Sequence, residues 1–239
     1  MNDLKIIPVP ILPMGMINAY LIVGDDKHIL VDSGIPNSEG RIGKALRQHG
    51  LEFRDIGLIL ITHAHGDHAG SASAVQKLSG APILAHTSEL AYLQQDKPMT
   101  YCPTGWFGKF FLKTGRPTRP YDAFTPDILL EGSEDFDLSD YGVNGTVVLT
   151  SGHTEGSLSV TLGNGNALVS DLVASGILLG GIAMRGRVKA PPFQDDARQV
   201  AVELKKLIDM GMETFHLGHG GPLTAKEVRG YCDRILLAP

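Results

Sequence analysis

The chain has 239 residues, of which 43% are apolar, and a formal charge of −5 at pH 7. A chain of this length can bury a substantial core, and we predict one domain that spans residues 1–239. Its basic residues are scattered along the sequence, which argues against a nucleic-acid partner. No apolar run reaches the roughly 18 residues that a membrane-spanning helix needs. We therefore expect a soluble protein with no membrane partner. Cys102 and Cys232 are too few for a disulfide framework, which is typical of a cytoplasmic location.

The first half of the chain alternates predicted strands with predicted helices. Two short strand patterns, "INAYLIV" and "KHILVDSG", flank the turn "GDD" and predict a hairpin. The run "IGLILIT" is nearly all apolar, as in a strand that is covered on both faces. The other predicted elements of this half are the helix "NSEGRIGKALRQHG", the helix "SASAVQKLSG", the strand "APILAH" and the short helix "SELAYLQQ".

From residue 96 to about residue 126 the regular pattern stops. This segment holds five prolines, four phenylalanines and the only tryptophan of the chain. A long segment without periodicity is usually functional or disordered, and the aromatic content argues against disorder. We interpret the segment as a lid or a partner-binding insertion, and we predict that Tyr101, Trp106 and Phe107 contact the substrate.

The second half predicts a series of strands that is followed by helices. The strand patterns are "GTVVLT", "SLSVTL", "ALVSDLV" and "ETFHLGH", and the predicted helices are "DDARQVAVELKKLIDMG" and "TAKEVRGYCDRILL". Thr224 and Glu227 have the spacing of a capping box at the start of the last helix. Because strands followed by helices occur twice, we predict an α/β fold of four layers, an αββα sandwich in which two mixed sheets are flanked by helices.

Histidines and aspartates follow four of the apolar strand patterns. They are His63, His65, Asp67 and His68 after "LILIT", His153 after "VVLTSG", Asp171 after "ALVS" and His219 after "FHLG". Loops at strand ends hold side chains rigidly, and binding groups commonly lie there. Five histidines and two carboxylates supply enough nitrogen and oxygen ligands for two divalent ions. A site for a single ion is the alternative interpretation.

The stretch "HAHGDH" can serve two ions from one loop. Gly66 lets the backbone turn sharply, so His63 and His65 can point one way while Asp67 and His68 point another. A carboxylate has two oxygens, and Asp171 can therefore bridge two ions.

Four motifs of the chain resemble those of the metallo-β-lactamase fold superfamily. They are "THAHGDHAG", "SGHTEGS", "LVSDL" and "LGHGGP", which occur in the family's order over nearly the whole chain. The resemblance implies that one metal is held by His63, His65 and His153, a second by Asp67, His68 and His219, and that Asp171 bridges them. It also implies that Asp32, in "ILVDSG", binds no metal itself but steadies the loop that carries the ligands. Ser157 is expected to hydrogen-bond within the loop of His153.

Departures from the family's motifs indicate which branches of the superfamily the chain resembles most. Asp171 stands where the antibiotic-hydrolysing members typically have a cysteine, which favours the glyoxalase II, lactonase and phosphodiesterase branches. The chain ends about 20 residues after His219, whereas glyoxalase II usually adds a C-terminal helical domain. The thioester that glyoxalase II cleaves is therefore a less expected substrate. Ser71 and Ser170 replace glycines that are common in relatives, and neither change removes a ligand.

These residues predict a hydrolase that binds two divalent cations. Zinc is the expected metal, and iron and manganese are the alternatives. Two ions about 3.5 to 4 Å apart share a water molecule and lower its pKa toward about 7, which supplies a bridging hydroxide. We predict that this hydroxide cleaves an ester, thioester or lactone in a small-molecule substrate, with Asp67 as the catalytic proton carrier. The aromatic insertion and "GILLGGIAMRG" are expected to set substrate choice. The same aromatic side chains also fit a homodimer interface.

Two other activities stay open from the sequence. A single iron bound by His63, His153 and Asp171 would resemble the persulfide dioxygenases of the superfamily. A phosphodiesterase or a weak, promiscuous β-lactamase is the further alternative, because fold kinship does not fix a substrate. The four histidines outside the motifs are interpreted as hydrogen-bonded or solvated residues: His28, His49, His86 and His216.

Overall fold

The protein is described by a computed structural model that covers residues 4–177 and 183–237. The α-helices in these residues are α1 (Glu39–Gln48), α2 (Ala72–Ser79), α3 (Leu90–Leu93), α4 (Gly105–Lys113), α5 (Ala197–Asp209) and α6 (Ala225–Leu236). Within the described ranges, no helix has the length and apolar character needed to cross a membrane.

The strands form two large mixed sheets. In chain order the strands are β1 (Lys5–Leu12), β2 (Ile17–Val23), β3 (His28–Val31), β4 (Ile56–Leu60), β5 (Ile83–His86), β6 (Ile128–Leu130), β7 (Phe136–Asp137), β8 (Gly145–Leu149), β9 (Leu158–Leu162), β10 (Asn166–Ser170), β11 (Ala174–Ser175), β12 (Val188–Lys189), β13 (Thr214–Leu217) and β14 (Leu223–Thr224).

The first sheet contains β1 to β6 in chain order, and the second has the order β14-β13-β10-β9-β8-β7. Strands β3 to β6 are parallel, whereas β1, β2 and β3 are antiparallel neighbours, so the predicted hairpin of β2 and β3 is present. In the second sheet only β10 and β13 pair in parallel. The short strands β11 and β12 pair with each other.

Three apolar clusters separate the layers of the fold. One cluster lies between the two sheets and includes Leu60 from the first and Val160 from the second. Another joins the outer face of the first sheet to Ile42 of α1 and Val75 of α2. The third joins the second sheet to α5 and α6. Two sheets flanked by helices make the αββα sandwich that the sequence predicts.

Strand β4 illustrates why the apolar runs become central strands. Leu58 and Leu60 belong to the cluster between the sheets, whereas Ile59 and Ile61 belong to the cluster beneath the helices. Since successive strand side chains point to opposite faces, an all-apolar run is covered on both sides. The run therefore fixes the end of β4 rigidly, directly before the histidine-rich loop.

The insertion at residues 96–126 is more regular than its sequence pattern predicts, because it contains helix α4. Two glycines within this helix lower its propensity, and prolines flank it. Packing explains the difference: a Cβ atom at Gly108 would lie 2.1 Å from the carbonyl oxygen of Pro192, so the helix lies directly against that backbone. Phe107 and Phe111, one turn apart, stack on each other with 5.9 Å between ring centroids.

Candidate metal centre

All seven predicted ligands lie where strands of the two sheets end. The loop after β4 carries four of them, and β8, β10 and β13 are followed by His153, Asp171 and His219. The two sheets are joined at this edge, because the Leu158 N–H donates to the Thr62 carbonyl at 2.9 Å and the Tyr20 hydroxyl donates to the Leu217 carbonyl at 2.7 Å. These bonds hold loops from both sheets together.

Three imidazoles form the first ligand group. The nitrogens His63 Nε2, His65 Nδ1 and His153 Nε2 are each 3.1 Å from the other two. Three imidazole nitrogens bound tetrahedrally to zinc at about 2.0–2.1 Å lie about 3.3 Å from one another. The observed triangle therefore has the size that one such ion requires.

Asp67, His68 and His219 form the second ligand group. Asp67 Oδ2 is 3.4 Å from His219 Nε2 and 4.0 Å from His68 Nε2. The outer nitrogens of both imidazoles are occupied: His68 Nδ1 bonds to Asp32 Oδ2 at 2.8 Å, and His219 Nδ1 to the Met16 carbonyl at 2.5 Å. Both Nε2 atoms are thereby oriented toward the group, as is usual for histidine ligands.

Asp171 lies between the two groups. Its Oδ2 is 3.1 Å from His219 Nε2 and 3.9 Å from His153 Nε2, which belong to different groups. Its Oδ1 is 3.4 Å from His68 Nε2. The carboxylate therefore reaches both ligand groups, as a bridging ligand would.

Unsatisfied buried atoms show that the residues fit a cation. His68 Nε2 and Asp171 Oδ1 are buried and have no hydrogen-bond partner among the described residues, although they are close neighbours. Buried polar atoms are normally paired, and a cation between an imidazole nitrogen and a carboxylate oxygen would satisfy both. The nitrogen and oxygen donor set suits zinc, iron or manganese.

The electrostatics of the two groups differ. Burial, together with the neighbouring imidazoles, holds the pKa of His63 well below its usual value, and burial lowers the pKa of His65 to about 3. Burial also acts to lower the pKa of His219, but the carboxylates of Asp171 and Asp67 together outweigh it and raise this pKa to about 10. The first group is thus neutral and ready to bind a metal, whereas in the second the carboxylates attract a cation, which would displace the proton from His219 on binding.

Asp32 supports the ligand loop, as the resemblance implies. It is buried and takes a left-handed backbone conformation with φ of 63°. Its Oδ1 accepts from the Thr62 N–H and hydroxyl, both at 2.9 Å, and its Oδ2 accepts from Ser170 Oγ at 3.1 Å as well as from His68. Ser170, which stands where relatives commonly have a glycine, therefore takes part in the same hydrogen-bond network.

Glu89 is a buried supporting residue that the sequence pattern does not predict. Its side chain bonds to groups of both the loop after β4 and the loop of His153. It lies in the helix pattern "SELAYLQQ", where a glutamate is typical of a solvent-exposed face. Ser157 has the expected role, since its Oγ accepts from the Thr154 N–H at 3.0 Å.

The predicted substrate residues lie in different places. Tyr101 stacks on His65, with 4.8 Å between centroids and 18° between planes. Phe193, which sequence analysis missed, lies 4.8 Å from the Tyr101 ring. Phe107 packs on the inner side of α4. The structure does not support a substrate contact for Trp106, because its side chain is 79% exposed and a step of one residue turns it away from the inner face.

The second segment predicted to set substrate choice, "GILLGGIAMRG", is described only in part, and residues 178–182 of it lie outside the described residues. Tyr121 was also missed, and its hydroxyl donates to the Ala64 carbonyl at 2.8 Å within the histidine-rich loop.

Two of the histidines outside the motifs bond to ordinary partners. His86 contacts the Gly132 carbonyl, and His216 contacts Asn166 Oδ1 at 2.8 Å. His49 is exposed after α1, and His28 is buried at the start of β3. Because His28 Nδ1 is buried and has no hydrogen-bond partner among the described residues, the prediction of a hydrogen-bonded or solvated side chain is wrong for His28. The ligand groups that the described residues form contain none of these four histidines.

Comparison with known proteins gives one family over most of the chain. A sequence model of the metallo-beta-lactamase superfamily matches residues 12–222. The probable metallo-hydrolase YflN of Bacillus subtilis (strain 168) is 26% identical over 231 residues, which cover 91% of this chain and 86% of YflN. The uncharacterized protein YobT of the same organism is 29% identical over 221 residues, which cover 85% of this chain and 83% of YobT.

Solved structures agree at the level of the fold. The metallo-beta-lactamase family protein TTHA1429 from Thermus thermophilus superposes with a TM-score of 0.67 at 23% identity, over 99% of this chain and 79% of TTHA1429. The BLEG-1 B3 metallo-beta-lactamase has a TM-score of 0.66 at 22% identity, over 98% of this chain and all of that one. Sequence match and fold together show that the chain belongs to the metallo-β-lactamase superfamily of metal-dependent hydrolases.

Proposed function

We propose that this metal-dependent hydrolase binds two divalent cations, most favourably zinc, and hydrolyses an ester, thioester or lactone of a small molecule. The position of Asp171 carries the proposal. Its two oxygens reach His68, His153 and His219, which lie in both ligand groups. A carboxylate placed in this way supports a bridged pair of ions over a single one, because two ligand groups of three residues each adjoin it.

The bound ions would supply a hydroxide at neutral pH and polarise the carbonyl that is attacked. The chain's own residues position the reaction. Asp67 is the most accessible ligand, with a side chain that is 31% exposed, so its carboxylate is placed to carry a proton between solvent and the leaving group. Tyr101 and Phe193 lie beside His65 and form an apolar wall against which an acyl group would pack.

The first ligand group favours this function over the single-iron alternative. A site made of His63, His153 and Asp171 would leave His65 outside it, yet the His65 Nδ1 atom is as close to both histidine nitrogens as they are to each other. Three equivalent imidazoles are a common donor set for catalytic zinc. Phosphodiester and β-lactam cleavage stay as alternatives that a substrate panel distinguishes.

A panel of p-nitrophenyl esters, thioesters, lactones, phosphodiesters and a β-lactam tests the proposal. Purified protein is stripped with a chelator and reloaded with zinc, manganese or iron before the assay. We expect carbonyl substrates to be cleaved only after reloading. Asp171→Asn should lower the rate about a hundredfold or more, because several kcal/mol of transition-state stabilisation depend on the paired ions.

Asp209→Asn is the matched control, because this aspartate is exposed at the end of α5 and belongs to neither ligand group. It should retain the wild-type rate. Hydrolysis of phosphodiesters alone would contradict the proposed function and indicate a phosphodiesterase. Oxygen consumption with a persulfide and one iron per chain would contradict it and indicate a persulfide dioxygenase.

A further inference from the structure

Helix α4 carries aromatic side chains on two faces. Its inner face contains Phe107 and Phe111, and the Phe111 ring stacks on Phe193 at 6.0 Å. Its outer face contains Trp106 and Phe110, which are one turn apart and 79% and 60% exposed. Packing of the insertion therefore accounts for the inner pair and leaves the outer pair in solvent.

Basic residues occur in the same segment as the outer pair, and Lys109 and Lys113, three residues after Trp106 and Phe110, share their face of the helix. Residues 97–121 contain no acidic residue, and the five basic ones are Lys97, Lys109, Lys113, Arg116 and Arg119. All five are exposed, and none forms an ion pair with a carboxylate among the described residues. Because the whole chain has a formal charge of −5, the residues outside this segment carry a formal charge of −10. The prediction that basic residues are merely scattered is wrong for this segment.

We propose that this face, the α4 surface, docks on an anionic lipid bilayer. The α4 surface consists of Trp106, Lys109, Phe110 and Lys113, which share one face of the helix. Tryptophan and phenylalanine beside lysine and arginine are typical of helices that lie in a membrane interface. The basic side chains would face lipid head groups while the two rings enter the acyl boundary. The absence of a membrane-spanning run predicted no membrane partner, but a helix that lies on the bilayer surface needs no such run.

Charge argues against a second copy of the chain as the occupant. A symmetric dimer through this face would bring its lysines against the identical lysines of the other copy. An asymmetric contact with the acidic remainder of another copy would be heterologous, and it would build rings or filaments rather than a two-fold dimer. A lipid surface satisfies both the charge and the protruding rings without a shaped pocket.

The sole tryptophan of the chain makes the test specific. The metal-loaded full chain is mixed with phosphatidylcholine vesicles, with or without about 30% phosphatidylserine, and Trp106 emission and acrylamide quenching are recorded. We expect a shift to shorter wavelength and reduced quenching with the anionic vesicles only, and we expect added salt to reverse both effects. The readout does not involve hydrolysis, so it stands or fails independently of the proposed function.

Variants that keep Trp106 separate the two contributions. Lys109→Gln combined with Lys113→Gln should lower partitioning into anionic vesicles roughly thirtyfold, at about tenfold for each 1.4 kcal/mol and about 1 kcal/mol for each lysine. Phe110→Ser should lower it about tenfold or more. Leu78→Ser, at a side chain that is 53% exposed on α2, is the matched control and should bind as the wild type does.

Three results would overturn the proposal. The first is unchanged Trp106 emission with anionic vesicles. The second is an equal shift with poly-L-glutamate, which would assign the α4 surface to an acidic protein. The third is a shift that depends on protein concentration without vesicles and accompanies a dimer in sedimentation, which would assign it to a second copy.

Discussion

Glu89 ties the two histidine-bearing loops together. Its side chain is 1% exposed, and its Oε2 accepts from the Ala64 N–H at 2.8 Å. Its Oε1 accepts from the Thr154 hydroxyl at 2.8 Å and from the Gly156 N–H at 3.1 Å. Ala64 lies between two predicted ligands, and Thr154 directly follows a third. Replacing this carboxylate should therefore affect both stability and metal affinity.

Glu89→Gln keeps the shape of the side chain but converts one acceptor atom into a donor. In the better amide orientation the Thr154 and Gly156 bonds are retained, and the Ala64 N–H faces an NH₂ group. A buried donor without an acceptor costs about 1–3 kcal/mol. We expect the lower part of this range, because burial also raises the pKa of Glu89, and the neutral amide avoids that cost of burying a charge. Glu89→Leu removes all three bonds and should cost about 3 kcal/mol or more.

Urea unfolding of chelator-treated protein measures the stability change, and competition with a chromophoric chelator measures zinc affinity. We expect zinc affinity to fall about tenfold in Glu89→Gln, since outer hydrogen-bond partners commonly contribute 10–100-fold. Glu131→Gln, at an exposed glutamate after β6, is the control and should change neither quantity. Wild-type stability together with wild-type zinc affinity in Glu89→Gln would refute this reasoning.

Three other substitutions test the packing, the electrostatics and the proposed acyl wall. Gly108→Ala should destabilise the protein by about 1–3 kcal/mol, because the new Cβ atom would collide with the Pro192 backbone. Gly40→Ala in α1 should stabilise it by about 0.5–1 kcal/mol, because a Cβ atom there meets nothing within 4 Å. Urea unfolding measures both changes. Burial lowers the pKa of His216 to about 4, so its contribution to stability is present at neutral pH and is lost as pH falls from about 6.5 toward 4. Compared with His216→Gln, wild type should lose more unfolding free energy over this interval. Tyr101→Leu should raise KM for apolar acyl substrates about tenfold without changing metal content, as steady-state kinetics and elemental analysis would show.

The ligand groups can be predicted from sequence because their signals are local. His63 to His68 follow a strand that is recognisable from its apolar run alone. The later ligands His153, Asp171 and His219 each follow a short strand pattern, and a sandwich brings such strand ends to one edge. No long-range contact has to be known in advance.

The supporting residues could not be predicted in this way. Glu89 has the sequence context of a surface helix, and its burial depends on two loops distant from it in the chain. Phe193 follows two prolines in an irregular segment, so no periodicity marks the ring that meets Tyr101. For α4, the spacing of four between Phe107 and Phe111 was an available helix signal, but the neighbouring glycines and prolines outweighed it.

Metal stoichiometry tests the central claim most directly. Protein loaded with excess zinc and then desalted is analysed by inductively coupled plasma mass spectrometry. The wild type should hold two zinc ions per chain, and His65→Ala and His219→Ala, one from each ligand group, should each hold one. His49→Ala, at an exposed histidine outside the groups, should still hold two. One zinc ion per wild-type chain, or two retained after His219→Ala, would contradict the two-ion site.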